Sequence, residues 1–219
     1  MEYLPRERSP ERRAAVNAAF RYRHPLSFCT AGRKLGVSKP FTASAANEIG
    51  MRFTSLKLNS LRDLLLEELR DLYNAEQQLI EALPKMADAA KTPALKSAFK
   101  HHLEETKQHA SRLEHVFAGI RERPTGETCE AMKGLIKEGE LIIKAEGDAD
   151  VRDAGLIGAA QRVEHYEMAG YGTARTLARR LGENEIASVL QQTLNEEGEA
   201  DKKLTSIAES QVNVGAARS

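Results

Sequence analysis

The chain has no tryptophan, and aromatic residues are only 5% of its 219 positions. What it has in abundance is Ala, Leu, Glu, Lys and Arg, a helix-forming composition that argues against a sheet-rich fold. Its two cysteines, Cys29 and Cys129, stand far apart and lack zinc-type spacing. They supply neither a disulfide framework nor a zinc ribbon, so a reducing cytoplasm is the expected setting. No apolar run approaches the roughly 20 residues of a membrane span. The N-terminus has arginines but no apolar h-region, which argues against a secretory leader. Its Arg-rich, acid-poor composition is also that of organelle transit peptides.

Net charge is likewise missing: 32 Lys and Arg balance 32 Asp and Glu. The balance hides an asymmetry. Residues 1–50 hold nine basic and four acidic side chains, +5, so the remainder holds 23 against 28, −5. Four of the seven prolines also lie in residues 1–50, where no apolar periodicity is sustained. Residues 1–50 are therefore expected to be a disordered basic extension, with Met51 as an alternative start. Residues 51–219 are expected to form the folded domain.

In that domain the apolar residues recur at steps of three and four, the spacing of one helix face. The first helix begins at a Ser60 N-cap, with the stripe Leu65, Leu69, Leu72, Glu76, Leu79, Leu83, Met86, and should bend at Pro84. Thr92 and Pro93 open the second, with Leu95, Ala98, His102, Glu105, His109, Leu113, Val116. A short helix over about Thr128–Glu146 reads as a crossover. A long helix from about Asp150 to Leu181 follows, with Ile157, Ala160, Glu164, Glu167, Tyr171, Ala174, Ala178. After Gly182 comes the last, with Ile186, Leu190, Leu194, Glu197, Asp201, Leu204, Ala208, beyond which the chain should fray. Short turns at 91–92 and at Gly182 imply two antiparallel hairpins. The result is an all-α, ferritin-like four-helix bundle with one crossover carrying a short fifth helix.

Each long helix places acid on its own buried stripe: Glu76; Glu105 with His109; Glu164 with Glu167; Glu197 with Asp201. Reflecting position 76 through the turn at 91.5 gives 107, the midpoint of Glu105 and His109. Reflecting 165.5 through Gly182 gives 198.5, beside the Glu197–Asp201 midpoint of 199. At about 1.5 Å per residue, each hairpin brings its ligand-type groups level within about an ångström. Six carboxylates in one dry layer demand cations or protons. Carboxylate and imidazole donors in a bundle core suit two divalent ions, iron or manganese. Glu164 and Glu197 are the expected bridging ligands. His102 reads as a core histidine or a partner behind the ligands, and His165 as facing away. Tyr73 and Tyr171 lie near the layer, within reach of its carboxylates. Glu196 and Glu199 read as solvated.

Residues 55–209 resemble the YciE/YciF family of ferritin-like stress proteins. The resemblance is carried by Asp63-Leu64, Leu69–Leu83, His102–Thr106, Asp153–Gly172 with its QRVEHYE core, and Thr193–Leu204. It implies a ferritin-like bundle, a homodimer and a dinuclear site of rubrerythrin type, and names no reaction. Di-iron bundles of that class carry Glu-x-x-His on two helices. Here Glu105 and His109 are one residue further apart, and Asp201 stands where an imidazole would be expected. The functional expectation is a dinuclear stress protein reacting with oxygen or peroxide, of ferroxidase or peroxidase type. The competing readings are a metal-free structural homodimer, and a miniferritin-like protein that contacts DNA through residues 1–50. Apolar residues on more than one side of the short helix (Met132, Leu135, Ile136, Ile142, Ile143) agree with a dimer.

Overall fold

The computed structural model describes residues 56–218, Glu127 apart. The expected basic extension over 1–50 and the alternative start at Met51 lie outside the described residues. Among the described residues every regular element is helical. They are α1 (Leu61–Ala89), α2 (Pro93–Gly119), α3 (Glu130–Ile143), α4 (Ala149–Arg180), α5 (Asn184–Ile207), a π-helical turn (Ala208–Val212) and α6 (Asn213–Ala216).

Local chemistry sets the helix ends. The Ser60 hydroxyl accepts the Asp63 N–H at 3.1 Å, and the Asp63 carboxylate accepts the Asn59 N–H at 2.9 Å. This reciprocal pair satisfies two backbone donors at the start of α1. Pro84 lies inside α1, which runs on to Ala89. The ring leaves the Ile80 carbonyl without its helical donor but does not end the helix. Thr92 is the N-cap of α2, yet its hydroxyl makes no capping bond. The turn is instead capped by a buried carboxylate from α4. Asp153 accepts the Lys91 N–H at 2.9 Å and the Thr92 N–H at 2.7 Å. Such charge-assisted bonds are worth roughly 1.5–3 kcal/mol each, and they tie the first hairpin to the start of α4. At the other hairpin, Gly182 has φ +81°, a left-handed residue just past α4 where a Cβ would be strained.

The expected fraying past Ala208 does not occur. The chain continues through the π-helical turn into α6, and Val212 is buried in the core. Burial of that side chain against the bundle supplies what the sequence periodicity alone did not indicate.

The four long helices form the bundle. α1 pairs with α2 and α4 with α5, while α1 also lies against α4 and α2 against α5. α1 and α4 run antiparallel: Arg62 at the start of α1 meets Glu183 beyond α4 at 3.6 Å, and Lys91 meets Asp150 at 2.9 Å. α2 and α5 are also antiparallel, since His102 faces Glu197 while the later Arg112 faces the earlier Thr193. The connection from α2 to α4 therefore spans the bundle length and carries α3, the one-crossover connectivity of ferritin-like bundles. α3 packs closely where it crosses α4: a Cβ on Gly155 would stand 2.9 Å from the Ile142 methyl.

The core is divided. One apolar cluster joins Leu79, Leu83, Leu95, Phe99, Leu156 and Leu204 with the inner face of α3. The other joins Leu65, Leu69, Leu72, Leu113, Phe117 and Leu190. Each fully buried side chain of this size contributes about 1.5–3 kcal/mol. Between the two clusters, at mid-height, lies a layer of acid and imidazole.

Candidate metal centre

Four helices contribute to that layer. α1 supplies Glu76, α2 supplies His102 and His109, α4 supplies Glu164 and Glu167, and α5 supplies Glu197. All six are buried, with Glu76, His109, Glu167 and Glu197 at 0% exposure. Their ligand-type atoms form two groups, each with its members within 4.8 Å of one another. One is Glu76, His109 and Glu197; the other is His102, Glu164, Glu167 and Glu197. Glu197 belongs to both.

Of the seven side chains expected from the sequence, the fold brings five together: Glu76, His109, Glu164, Glu167 and Glu197. Glu105 and Asp201 lie at the margin, 26% and 21% exposed. Glu105 faces His101 at 3.3 Å and His102 at 3.5 Å. Asp201 accepts a hydrogen bond from the Gln161 amide at 3.0 Å and stands 3.4 Å from the exposed His165. His102 joins the inner group instead, with Nε2 3.4 Å from Glu164 and 3.8 Å from Glu197. Tyr171, fully buried, donates its hydroxyl to Glu76, whereas Tyr73 bonds outward to Glu114 at 2.8 Å.

His109 is held from behind. Its Nε2 meets Glu196 at 2.9 Å, and Glu196 is itself gripped by both guanidinium nitrogens of Arg112 and by the Gln192 amide at 3.1 Å. Burial alone would raise the Glu196 pKa; Arg112, Gln192 and His109 outweigh it and hold it down at about 2. An anionic carboxylate on Nε2 leaves Nδ1 as the atom presented to the layer. This is the carboxylate–histidine arrangement found behind metal ligands. Glu196 therefore orients a core imidazole, contrary to its expected place on a solvated face. The contact is tertiary, and spacing along one helix carries no sign of it.

The layer has too few internal partners. Among the described residues, Glu76 Oε2, Glu164 Oε2, both oxygens of Glu167 and of Glu197, His109 Nδ1 and both nitrogens of His102 are buried without a hydrogen bond. His109 Nδ1 stands 2.9 Å from Glu197, but off the donor direction, so proximity does not satisfy either atom. Orphaned polar atoms of this density are far outside the usual pattern of folded proteins. Electrostatics says the same. Burial, then the neighbouring carboxylates, raise Glu167 well above the usual range. Burial lifts Glu164 to about 8, against the pull of His102. Burial opposes charge on His102 and His109, but the surrounding carboxylates lift them to about 9 and about 11. Without cations the layer is held together by protons. Acceptor-only oxygens and imidazole nitrogens, converged and unpartnered, fit divalent metal ions.

Among the described residues no helix is long and apolar enough to cross a membrane. Comparison with known proteins agrees with the fold and locates its kin. The family model of DUF892, a domain of unknown function, matches residues 60–217. Protein YciF of Escherichia coli (strain K12) is 42% identical over 159 residues, which is 72% of this chain and 96% of that protein. The crystal structure of the E. coli stress protein YciF superposes with a TM-score of 0.69 at 43% identity, covering 71% of this chain and 99% of that one. YcfI from Rhodopseudomonas palustris superposes with a TM-score of 0.68 at 43% identity, covering 71% and 99%. A Xanthomonas campestris protein at 23% identity shares the fold, with a TM-score of 0.58 over 73% and 98%. The matched residues span the whole bundle and its buried layer, and the chain belongs to the DUF892 family, with YciF among its relatives.

Proposed function

We propose that this chain is a dinuclear metalloprotein, binding iron or manganese, that reacts with oxygen or peroxide under stress. The observation carrying this reading is the convergence of partnerless buried carboxylate and imidazole atoms at mid-bundle. Four carboxylates bring up to −4, and two divalent ions bring +4, so two ions neutralise the layer. Glu76 and His109 would hold one ion, His102, Glu164 and Glu167 the other, with Glu197 between them. Oxygen-rich donors with two imidazoles suit iron and manganese. When bound in a reduced state at these residues, such ions would supply electrons for the reduction of oxygen or peroxide.

The chain's own side chains perform the supporting work. Glu196 and Arg112 fix the His109 ring so that Nδ1 faces inward. Tyr171 keeps its phenol proton, since burial and then Glu76 and Glu167 raise its pKa well above the ordinary value. That proton holds Glu76 Oε1 and leaves Oε2 for the cation. The apolar clusters above and below exclude bulk water, which strengthens each charge interaction in the layer. The E. coli relative is called a stress protein, in keeping with a role against oxidants. The Rhodopseudomonas relative has provisionally been called structural, and a metal-free structural dimer is the competing reading. Contact with DNA would rest on residues 1–50, outside the described bundle.

Ferrous protein prepared without oxygen and then mixed with peroxide should oxidise faster than ferrous ion alone, followed by near-ultraviolet absorbance. A rate no greater than that of the free ion would set aside the oxidant chemistry.

A further inference from the structure

Between α2 and α5 a small cavity of about 20 Å³ opens beside the layer, lined among others by His101, His102, Glu105, Glu164, Ala200 and Lys203. That is room for one water or one bare ion. Its walls include side chains at every depth. His101 is 61% exposed, Glu105 26%, His102 8% and Glu164 3%, by side chain. Successive donors are spaced by single contact distances. His101 Nε2 to Glu105 is 3.3 Å, Glu105 to His102 Nδ1 is 3.5 Å, and His102 Nε2 to Glu164 is 3.4 Å. His102 is buried, and neither of its ring nitrogens has a hydrogen bond. One nitrogen faces Glu105 and the rim; the other faces the carboxylate layer.

The geometry points to a cation port at this place: Glu105 and His101 capture a divalent ion at the rim, and His102 passes it to Glu164 and Glu197. The inference rests on the metal-binding reading above. It gives Glu105 a role that its partial exposure fits, at the rim of the layer. A buried ligand needs a path from water, and a bare cation crosses an apolar wall only at great cost. Each step of this path offers an oxygen or a nitrogen before the previous one is released. Lys203, on the same rim, is the one lysine among the lining residues named above, and its charge opposes a cation there.

The test is stopped-flow uptake of cobaltous ion by the full chain, read by cobalt d–d absorption, with bound cobalt counted at equilibrium. Steering by charge in a cleft changes association rates by about 10–1,000-fold, so Glu105→Ala should slow uptake at least about tenfold with the final cobalt count unchanged. Ala200→Phe, which fills the cavity and removes no donor, should slow it likewise. Lys203→Ala should speed it. A lower final count in Glu105→Ala would make Glu105 a ligand and overturn the port. Unaltered rates in all three variants would also overturn it. If wild-type protein takes up no cobalt, the metal reading itself fails, a result separate from these.

Discussion

Glu197→Ala should leave the protein almost unable to hold metal while its helices persist. Glu197 is the residue common to both ligand groups. Removing a partner behind a ligand costs about 10–100-fold in metal affinity, and removing a ligand shared by two ions should cost more. The helices should survive because the apolar clusters on either side of the layer do not include Glu197. Asp201→Ala is the matched control. Asp201 lies one turn further along the same helix, partly exposed, and is engaged by Gln161 and His165. Its loss should leave metal content within about twofold of wild type, on the ordinary expectation for a surface substitution. Metal analysis with circular dichroism on both variants decides the matter. Full metal content in Glu197→Ala would contradict the shared-ligand geometry.

Glu167→Met should do the opposite to metal-free protein: make it more stable. Among the described residues, both Glu167 oxygens are buried without a hydrogen-bond partner. A buried unsatisfied group costs about 1–3 kcal/mol, which methionine of similar length avoids. At about 2–4 °C per kcal/mol for a domain of this size, the gain is readable by thermal unfolding. The pH dependence should change with it. Glu164, with its pKa raised from 4.5 to about 8, carries a penalty absent below 4.5 and complete above about 8. His102 and His109, raised to about 9 and about 11, contribute stability fully present below 6.5 and lost as pH climbs through those values. All three bind more protons folded than unfolded, so metal-free wild type should lose stability as pH rises from 6 to 9. Glu167 is itself raised by burial and then by its neighbouring carboxylates, so Glu167→Met removes one group that holds its proton more tightly in the folded state, and its slope should be shallower. Lower metal-free stability in Glu167→Met than in wild type would contradict the account. The variant trades function for stability, as buried functional charges commonly do.

Much of this site can be read from spacing, provided the step is seven. At about 100° per residue, seven residues return a helix to within about 20° of its starting direction. The lines Leu95, His102, His109, Val116 on α2 and Leu190, Glu197, Leu204 on α5 are buried throughout. So are Ile157, Glu164, Tyr171, Ala178 on α4 and Leu69, Glu76, Leu83 on α1. Glu105 and Asp201 fall about 40° from these lines and lie at the rim, whereas Glu167 has the same offset and is buried, so tertiary packing decides between the two outcomes. The broader three-and-four stripe holds His102 together with Glu105 and Asp201; His102 lies one turn from the reflected layer and so reads as outside it, and the fold reverses that reading. The hairpin reflection succeeded because both turns are short and antiparallel neighbours share depth. Other features were not legible. The Asp153 cap and the Arg112–Glu196 brace behind His109 join residues tens of positions apart, and no periodicity along one helix records such contacts. The continuation past Ala208 depends on burial of Val212 against the bundle, again a tertiary matter.

The central claim is that the buried layer exists to hold cations. Its most direct measurement is the metal content of wild-type protein, reconstituted without oxygen with ferrous or manganous ion and freed of loosely bound metal. Two ions against four carboxylates give near neutrality, so about two equivalents per chain are expected. Less than about half an equivalent, with the helices intact, would show that protons alone hold the layer together, and the structural reading would take its place.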